Sequence, residues 1–198
     1  MPHVPELQTP RLVIRRFVAA DLDAVHQLLD VDLADADFGS EGAGSRQQRE
    51  DWLRWSVLNY EQLERLYQPP YGDRAIVLRA TGELIGACGY VPSFGPFAQL
   101  PGLSPVTPPA RSRHTPAFGL FYAVSPRHQR RGYAAEAAQA LVDHAFRDLE
   151  LERIVATTTH DNLVSIRVME KLGMRIERNP FLDPPWFQVV GVLDNPLA

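Results

Sequence analysis

Between Ser125 and Ala134 the chain reads Ser-Pro-Arg-His-Gln-Arg-Arg-Gly-Tyr-Ala, and no other stretch gathers as much potential chemistry. An apolar strand-like run, 117–124, leads into it, and a helical pattern of alanines and leucines follows from 133. The first N–H groups of a helix have no intrahelical partner, and the helix dipole adds about half a positive charge there. Such a terminus binds phosphate when the ligand can approach the backbone. Gly132 removes the Cβ that would stand in the way, Ala134 keeps the first turn small, and Arg127, Arg130 and Arg131 bring cations. The pattern is neither G-x-G-x-x-G nor G-x-x-x-x-G-K-[ST], which sets dinucleotide and P-loop readings aside. The competing reading is a solvated basic turn ahead of a helix-starting glycine.

Other reactive side chains point elsewhere. The six histidines show neither H-x-x-x-H nor H-E-x-x-H spacing, so no metal site is expected. Cys88, the single cysteine, lies in an apolar strand run and reads as an inert core thiol. Ser104, Ser112 and Ser125 lack the context of a nucleophile elbow. Asp30, Asp32, Asp35, Asp37 and Glu41 crowd twelve positions of a stretch that reads as an acidic loop, 30–44. It is either simply solvated or a field that concentrates a cationic ligand. Trp52 and Trp55 are expected in the core of a helix, with a ligand-pocket wall as the alternative.

These residues need a scaffold. The chain has 198 residues, 45% hydrophobic and 22% charged, which suits one globular domain. One cysteine excludes an internal disulfide framework and fits a reducing cytoplasm. A formal net charge of −4 argues against a nucleic-acid coat. No apolar run reaches membrane-span length, and the first residues do not read as a signal peptide. Strands are expected at 11–17, 74–80, 84–91, 117–124, 153–158, 174–178 and 187–193. Helices are expected from the N-cap Asp21, from the capping box Ser45-x-x-Gln48 to about 67, over 133–148, and over 163–172 with Gly173 as its stop. Thr81-Gly82-Glu83 reads as a hairpin turn. Residues 92–116 hold seven prolines and read as a long insert.

At this point the sequence resembles a known family. Val124-x-Pro126-x-x-Gln129-x-x-Gly132-Tyr133-Ala134 is similar to the acetyl-CoA pyrophosphate loop of the GNAT N-acetyltransferase superfamily. Asn162-x-x-Ser165, followed by Val168-x-Glu170-Lys171-x-Gly173, resembles a second segment of that family. Thr9-x-Arg11-Leu12-x-Ile14-Arg15 looks like the opening of its ribosomal-protein-alanine N-acetyltransferase branch, the RimJ/RimL-like enzymes. The resemblance implies an α/β (α+β) fold: a mixed, largely antiparallel sheet of about seven strands, helices on both faces, and one acyltransferase domain over 1–198 carrying the insert at 92–116. It implies acetyl-CoA as acyl donor, without a metal. Backbone groups of Tyr122 and Val124 would meet the pantetheine arm. The backbone of Gln129, Arg130, Arg131, Gly132, Tyr133 and Ala134 would hold the pyrophosphate. Asn162 would touch the cofactor or act only as a helix cap, and Ser165 would protonate the departing thiolate or serve only the helix terminus. Lys171 is read as solvated rather than bound to the adenosine phosphate.

The reaction so implied is direct attack of a primary amine, either a protein N-terminus or a small molecule, on the thioester. No nucleic-acid or membrane partner is expected, and the chain is read as monomer or homodimer. Gly119 stands where relatives often carry a glutamate base, which leaves the base unassigned; His114 and Asp183 are candidates for a water-relayed role. The same departure leaves open a second class of function, a CoA-binding sensor of the same fold.

Overall fold

The computed structural model describes residues 5–34, 44–104 and 107–196. Two compact units are built, each from two separate stretches of chain: 1–90 with 121–144, and 91–120 with 145–198.

The first unit opens with β1 (Leu7–Gln8) and β2 (Leu12–Arg16), followed by α1 (Leu22–His26), which widens into π-type turns over Gln27–Asp32. Next come α2 (Arg46–Arg65), β3 (Gly72–Leu78) and the start of β4 (Leu84–Gly95). The end of β5 (Thr115–Val124) and most of α3 (Tyr133–Arg147) complete it. The Ser45–Gln48 capping box forms as expected: Gln48 N–H donates to Ser45 Oγ at 3.3 Å, and Ser45 N–H to Gln48 Oε1 at 2.7 Å. Asp21 does not cap α1. Its carboxylate takes a two-pronged ion pair from Arg15 (2.7 and 2.8 Å) and the Val18 N–H (2.9 Å), because a guanidinium fork competes better for both oxygens than one helix N–H does. The β3–β4 turn closes through Gly82 at φ +74°, with Leu78 N–H donating to Glu83 O at 2.9 Å. Phe17, Val25, Leu28, Leu53, Ala75, Val77, Ala87 and Ala123 form the core. Trp52 packs edge-on against Phe17 at 5.6 Å, whereas Trp55 is 59% exposed, so only one of the two tryptophans is a core residue.

The second unit holds the rest of β4 and β5, the end of α3, β6 (Arg153–Thr158), α4 (Leu163–Lys171), β7 (Arg175–Arg178) and β8 (Val189–Asp194). The proline-rich insert is part of its core. Phe97 and Leu100 are buried with Val155, Phe187, Val190 and Val192, and Phe97 meets Phe187 edge-on at 5.3 Å. Gln99, 3% exposed, accepts from Asn179 Nδ2 at 3.0 Å and donates to Ala110 O at 2.7 Å. β4 runs on to Gly95, four residues past the expected end. Its register with β3 finishes at Tyr90 opposite Gly72, so Pro92 stands where no donor to β3 is needed.

Among the described residues the strands order β1-β2-β3-β4-β5-β6-β8-β7, eight in all, the addition over the expected seven being the two-residue β1. β5 pairs parallel with β6, with Gly119 opposite Val155, while β1–β2, β2–β3, β3–β4, β6–β8 and β7–β8 are antiparallel. No described helix is long and apolar enough to cross a membrane.

Candidate functional site

β5 delivers the chain to the arginine-rich loop. Ser125, 3% exposed, continues the sheet by donating its N–H to Ile85 O at 2.8 Å. A single tight turn, Pro126–His128, follows, and the Gln129 side chain reaches back to donate to Val124 O at 3.0 Å. That amide staples the loop to the strand it leaves, a use of Gln129 the sequence did not disclose. Two residues then adopt left-handed backbone, Arg130 at φ +61° and Gly132 at φ +83°. Such alternation makes a concavity lined by N–H groups, the geometry of anion nests. For arginine the conformation costs on the order of 1–2 kcal/mol. At Gly132 an added Cβ would meet only Arg11 Nη2, at 3.4 Å, so the glycine serves conformation and access. α3 begins at Tyr133, and its first internal bond runs from Glu136 N–H to Gly132 O at 3.0 Å. The N–H groups before that bond belong to the helix terminus whose dipole favours an anion.

Side chains from distant sequence hold this loop and the first turn of α3. Asp32, at the end of the turns after α1, accepts from Ser125 Oγ at 2.8 Å and from Arg127 Nη2 at 3.0 Å. A hydrogen bond from Gln27 leads the effects that pull the Asp32 carboxyl below its usual range. At the other end Glu136 is held by Thr9 Oγ1 (2.5 Å), Arg11 N–H (3.0 Å) and Arg11 Nε (2.6 Å). Burial alone would push Glu136 up; these hydrogen bonds outweigh it and lower it. The sequence showed Thr9 and Arg11 as a motif but gave no sign of what they touch.

The acidic segment is therefore not one loop of solvated carboxylates. Asp30 is 7% exposed, bound by Arg49 (2.8 Å twice), His26 Nδ1 (2.8 Å) and Gly44 N–H (2.8 Å). Burial opposes its ionisation, yet these partners bring it down to about 2. Asp35, Asp37 and Glu41 lie outside the described residues.

Asn162 and Ser165 stand at the start of α4 in the second unit. Asn162 Oδ1 accepts from Ser165 N–H at 3.1 Å, a helix cap in fact, which leaves the Nδ2 amide protons of Asn162 for other work. At Gly119 an added Cβ would lie 2.7 Å from Val91 O and 2.8 Å from Val91 Cγ2. A glutamate cannot be accommodated there without moving β4. One carboxylate the sequence did not single out is Asp73, at the start of β3, which burial pushes up to about 6 against a smaller opposing pull from Arg49. Cys88 is fully buried and its thiol is pushed well above its ordinary range by burial, as befits an inert core residue.

Comparison with known proteins now has a structure to meet. The chain is 30% identical over 175 residues to the uncharacterized N-acetyltransferase YnaD of Bacillus subtilis, covering 86% of this chain and 83% of that one. It superposes on an acetyltransferase from Agrobacterium tumefaciens with a TM-score of 0.66 at 26% identity, covering 96% and 94% of the two chains. Its fold also matches RimL, a ribosomal L7/L12 alpha-N-protein acetyltransferase solved with coenzyme A, with a TM-score of 0.63 at 16% identity over 95% and 96% of the chains. Residues 11–175, which include the arginine-rich loop, Asn162 and Ser165, match the acetyltransferase (GNAT) domain, and the chain belongs to that family of N-acetyltransferases.

Proposed function

We propose that this enzyme, a single cytoplasmic domain, transfers the acetyl group of acetyl-CoA to a primary α-amine, as RimL is named for doing. The observation that carries the reading is the backbone of Gln129–Ala134, where left-handed Arg130 and Gly132 precede the open terminus of α3. These residues fit a pyrophosphate: the site is made of N–H donors, a Cβ-free approach and arginines, and the carboxylates beside it, Glu136, Asp32 and Glu83, are each already paired. Acetyl-CoA supplies an activated thioester, and the protein's work is to hold it and receive the amine. Backbone groups of Tyr122 and Val124 extend the pantetheine arm along β5, beside the Gln129 side chain that donates to Val124 O. Asn162 offers its Nδ2 to the cofactor, and Ser165 gives a proton to the leaving sulfur.

Gly119 bears on the acceptor. A lysine amine near pKa 10.4 is neutral in about 1 molecule in 2,500 at pH 7, an α-amine near 7.8 in about 1 in 7. With no room for a glutamate at 119, an acceptor that arrives already neutral is favoured. The test has two arms. Titration calorimetry should show acetyl-CoA binding to the wild type and at least 30-fold weaker binding to Gly132→Val; equal affinities would refute the phosphate loop. Thiol release measured across N-terminal peptides, polyamines and aminoglycosides should be fastest with peptide α-amines, and a preference for lysine or polyamine acceptors would overturn the α-amine assignment.

A further inference from the structure

A phosphate site with a glutamate in the first turn of its helix contains a conflict. Glu136 suits the α3 dipole but repels any ligand carrying several negative charges. It cannot be dismissed as a distant surface group, since its own N–H bonds Gly132 O, the last loop residue before the helix.

Arg11 meets that conflict with every part of its residue. Its Nε and Nη2 both reach Glu136 Oε2, at 2.6 and 2.5 Å, and its backbone N–H reaches Oε1 at 3.0 Å. Thr9 Oγ1 donates to the same Oε1. The remaining terminal nitrogen, Nη1, donates to Arg131 O at 2.9 Å, and the guanidinium lies 4.5 Å over the Tyr133 ring. The residue is itself held at its backbone: Arg79 N–H donates to Arg11 O at 3.0 Å, and Arg79 Nη1 to Thr9 O at 2.8 Å. A lysine could reproduce one of these contacts but not the fork.

The Arg131 contact has a geometric consequence. In a trans peptide the C=O and the following N–H point in opposite directions. Fixing Arg131 O on the Arg11 side therefore fixes the Gly132 N–H on the other.

We propose that Arg11 is a positioning residue for the phosphate site: it cancels the Glu136 carboxylate and, through the Arg131 carbonyl, aims the Gly132 N–H at the pyrophosphate. The proposal rests on the pyrophosphate reading of the loop and adds to it the residue that makes the loop competent. Arg11 acts through Glu136 and the 131–132 peptide.

The experiment compares CoA with pantetheine, which keeps the arm and lacks the phosphates, for the wild type, Arg11→Gln, Arg11→Lys, Glu136→Gln and the double variant Arg11→Gln/Glu136→Gln. Arg11→Gln should weaken CoA binding 10- to 30-fold and pantetheine less than 2-fold, with Arg11→Lys between it and the wild type. Glu136→Gln alone should tighten CoA binding a few-fold, because Arg11 is then an uncompensated cation beside the loop. The double variant should regain several-fold over Arg11→Gln, the charge conflict having been removed while the peptide stays unheld. CoA affinity unchanged in Arg11→Gln, equal losses for CoA and pantetheine, a double variant no better than the single, or weaker CoA binding in Glu136→Gln would each overturn the proposal. If Arg11→Gln does not fold, the Glu136→Gln and Arg11→Lys arms decide it alone. A wild type that binds CoA no tighter than pantetheine would instead bring down the pyrophosphate reading, an outcome distinct from a wild-type preference that the variants retain.

Discussion

Ser125 Oγ donates a 2.8 Å hydrogen bond to Asp32 Oδ2, joining residues 93 positions apart and tying the turns after α1 to the start of the arginine-rich loop. The same oxygen accepts from Arg127, whose side chain is 65% exposed, so the buried serine is the stronger partner. An aspartate that looks in sequence like part of an acceptor-attracting cluster is thus a strut of the arginine-rich loop, the proposed cofactor site. Asp32→Asn is expected to raise the acetyl-CoA KM about 5-fold and leave the acceptor KM within 2-fold. A change confined to the acceptor KM would return Asp32 to the acidic-field role.

Placing a glutamate at position 119 should fail for steric reasons. Gly119→Ala already puts a Cβ 2.7 Å from the Val91 carbonyl, and overpacking of this kind costs about 1–3 kcal/mol. We expect Gly119→Ala to lower Tm by several degrees and Gly119→Glu to lower it further, with neither raising turnover. A stable, faster Gly119→Glu enzyme would show that β4 yields at this point and that a base there is useful.

Asn162 separates capping from cofactor contact through one substitution. Asn162→Asp keeps an oxygen to accept the Ser165 N–H while removing the Nδ2 donor. Thermal stability should be unchanged or slightly raised, since an acidic cap suits the helix dipole. Acetyl-CoA affinity should fall about 10-fold, by lost donation and added negative charge. Full affinity in this variant would leave Asn162 a cap alone.

Asp73 gives stability a pH dependence of definite sign. Its carboxyl ionises near 3.8 when unfolded and is raised to about 6 when folded. Between those values the unfolded chain releases a proton that the folded chain keeps, so stability falls as pH rises through the window and stays lower above it. The difference is on the order of 2–3 kcal/mol. Asp73→Asn should therefore raise Tm clearly at pH 8 and much less at pH 4, measured by paired thermal melts. Equal shifts at both pH values would mean the effect is packing rather than ionisation.

Most of the scaffold could be read from the chain because its signals are local. The Ser45–Gln48 box, the Asn162 cap, Gly173 at φ +76° and the Gly82 turn are each decided within a few residues, and all four form. The loop itself was readable for the same reason: glycine, arginines and a helix start are neighbours in sequence. Its anchors were not. Arg11 with Glu136 and Asp32 with Ser125 are pairings of 125 and 93 positions, and nothing in the composition of either end names the other. Trp55 failed as a core residue because helical periodicity places two tryptophans three apart near one face without saying where that face ends. The insert misled in the opposite direction, since prolines forbid regular ladders but do not keep Phe97 and Leu100 out of a core.

The way the two units are cut from the chain matters for how the protein is made. The first takes residues 1–90 and then waits for 121–144; the second takes 91–120 and then waits for 145–198. During synthesis, residues 91–120 emerge while their partners in β6 and β8 do not yet exist. At about 5–20 residues per second, the 90 positions from Phe97 to Phe187 take roughly 5–18 seconds to appear. For that interval Phe97 and Leu100 are without the Phe187 and Val190 they pack against in the finished molecule. That wait falls on the proline-rich segment, where the scarcity of free backbone N–H groups gives a neighbouring strand little to pair with.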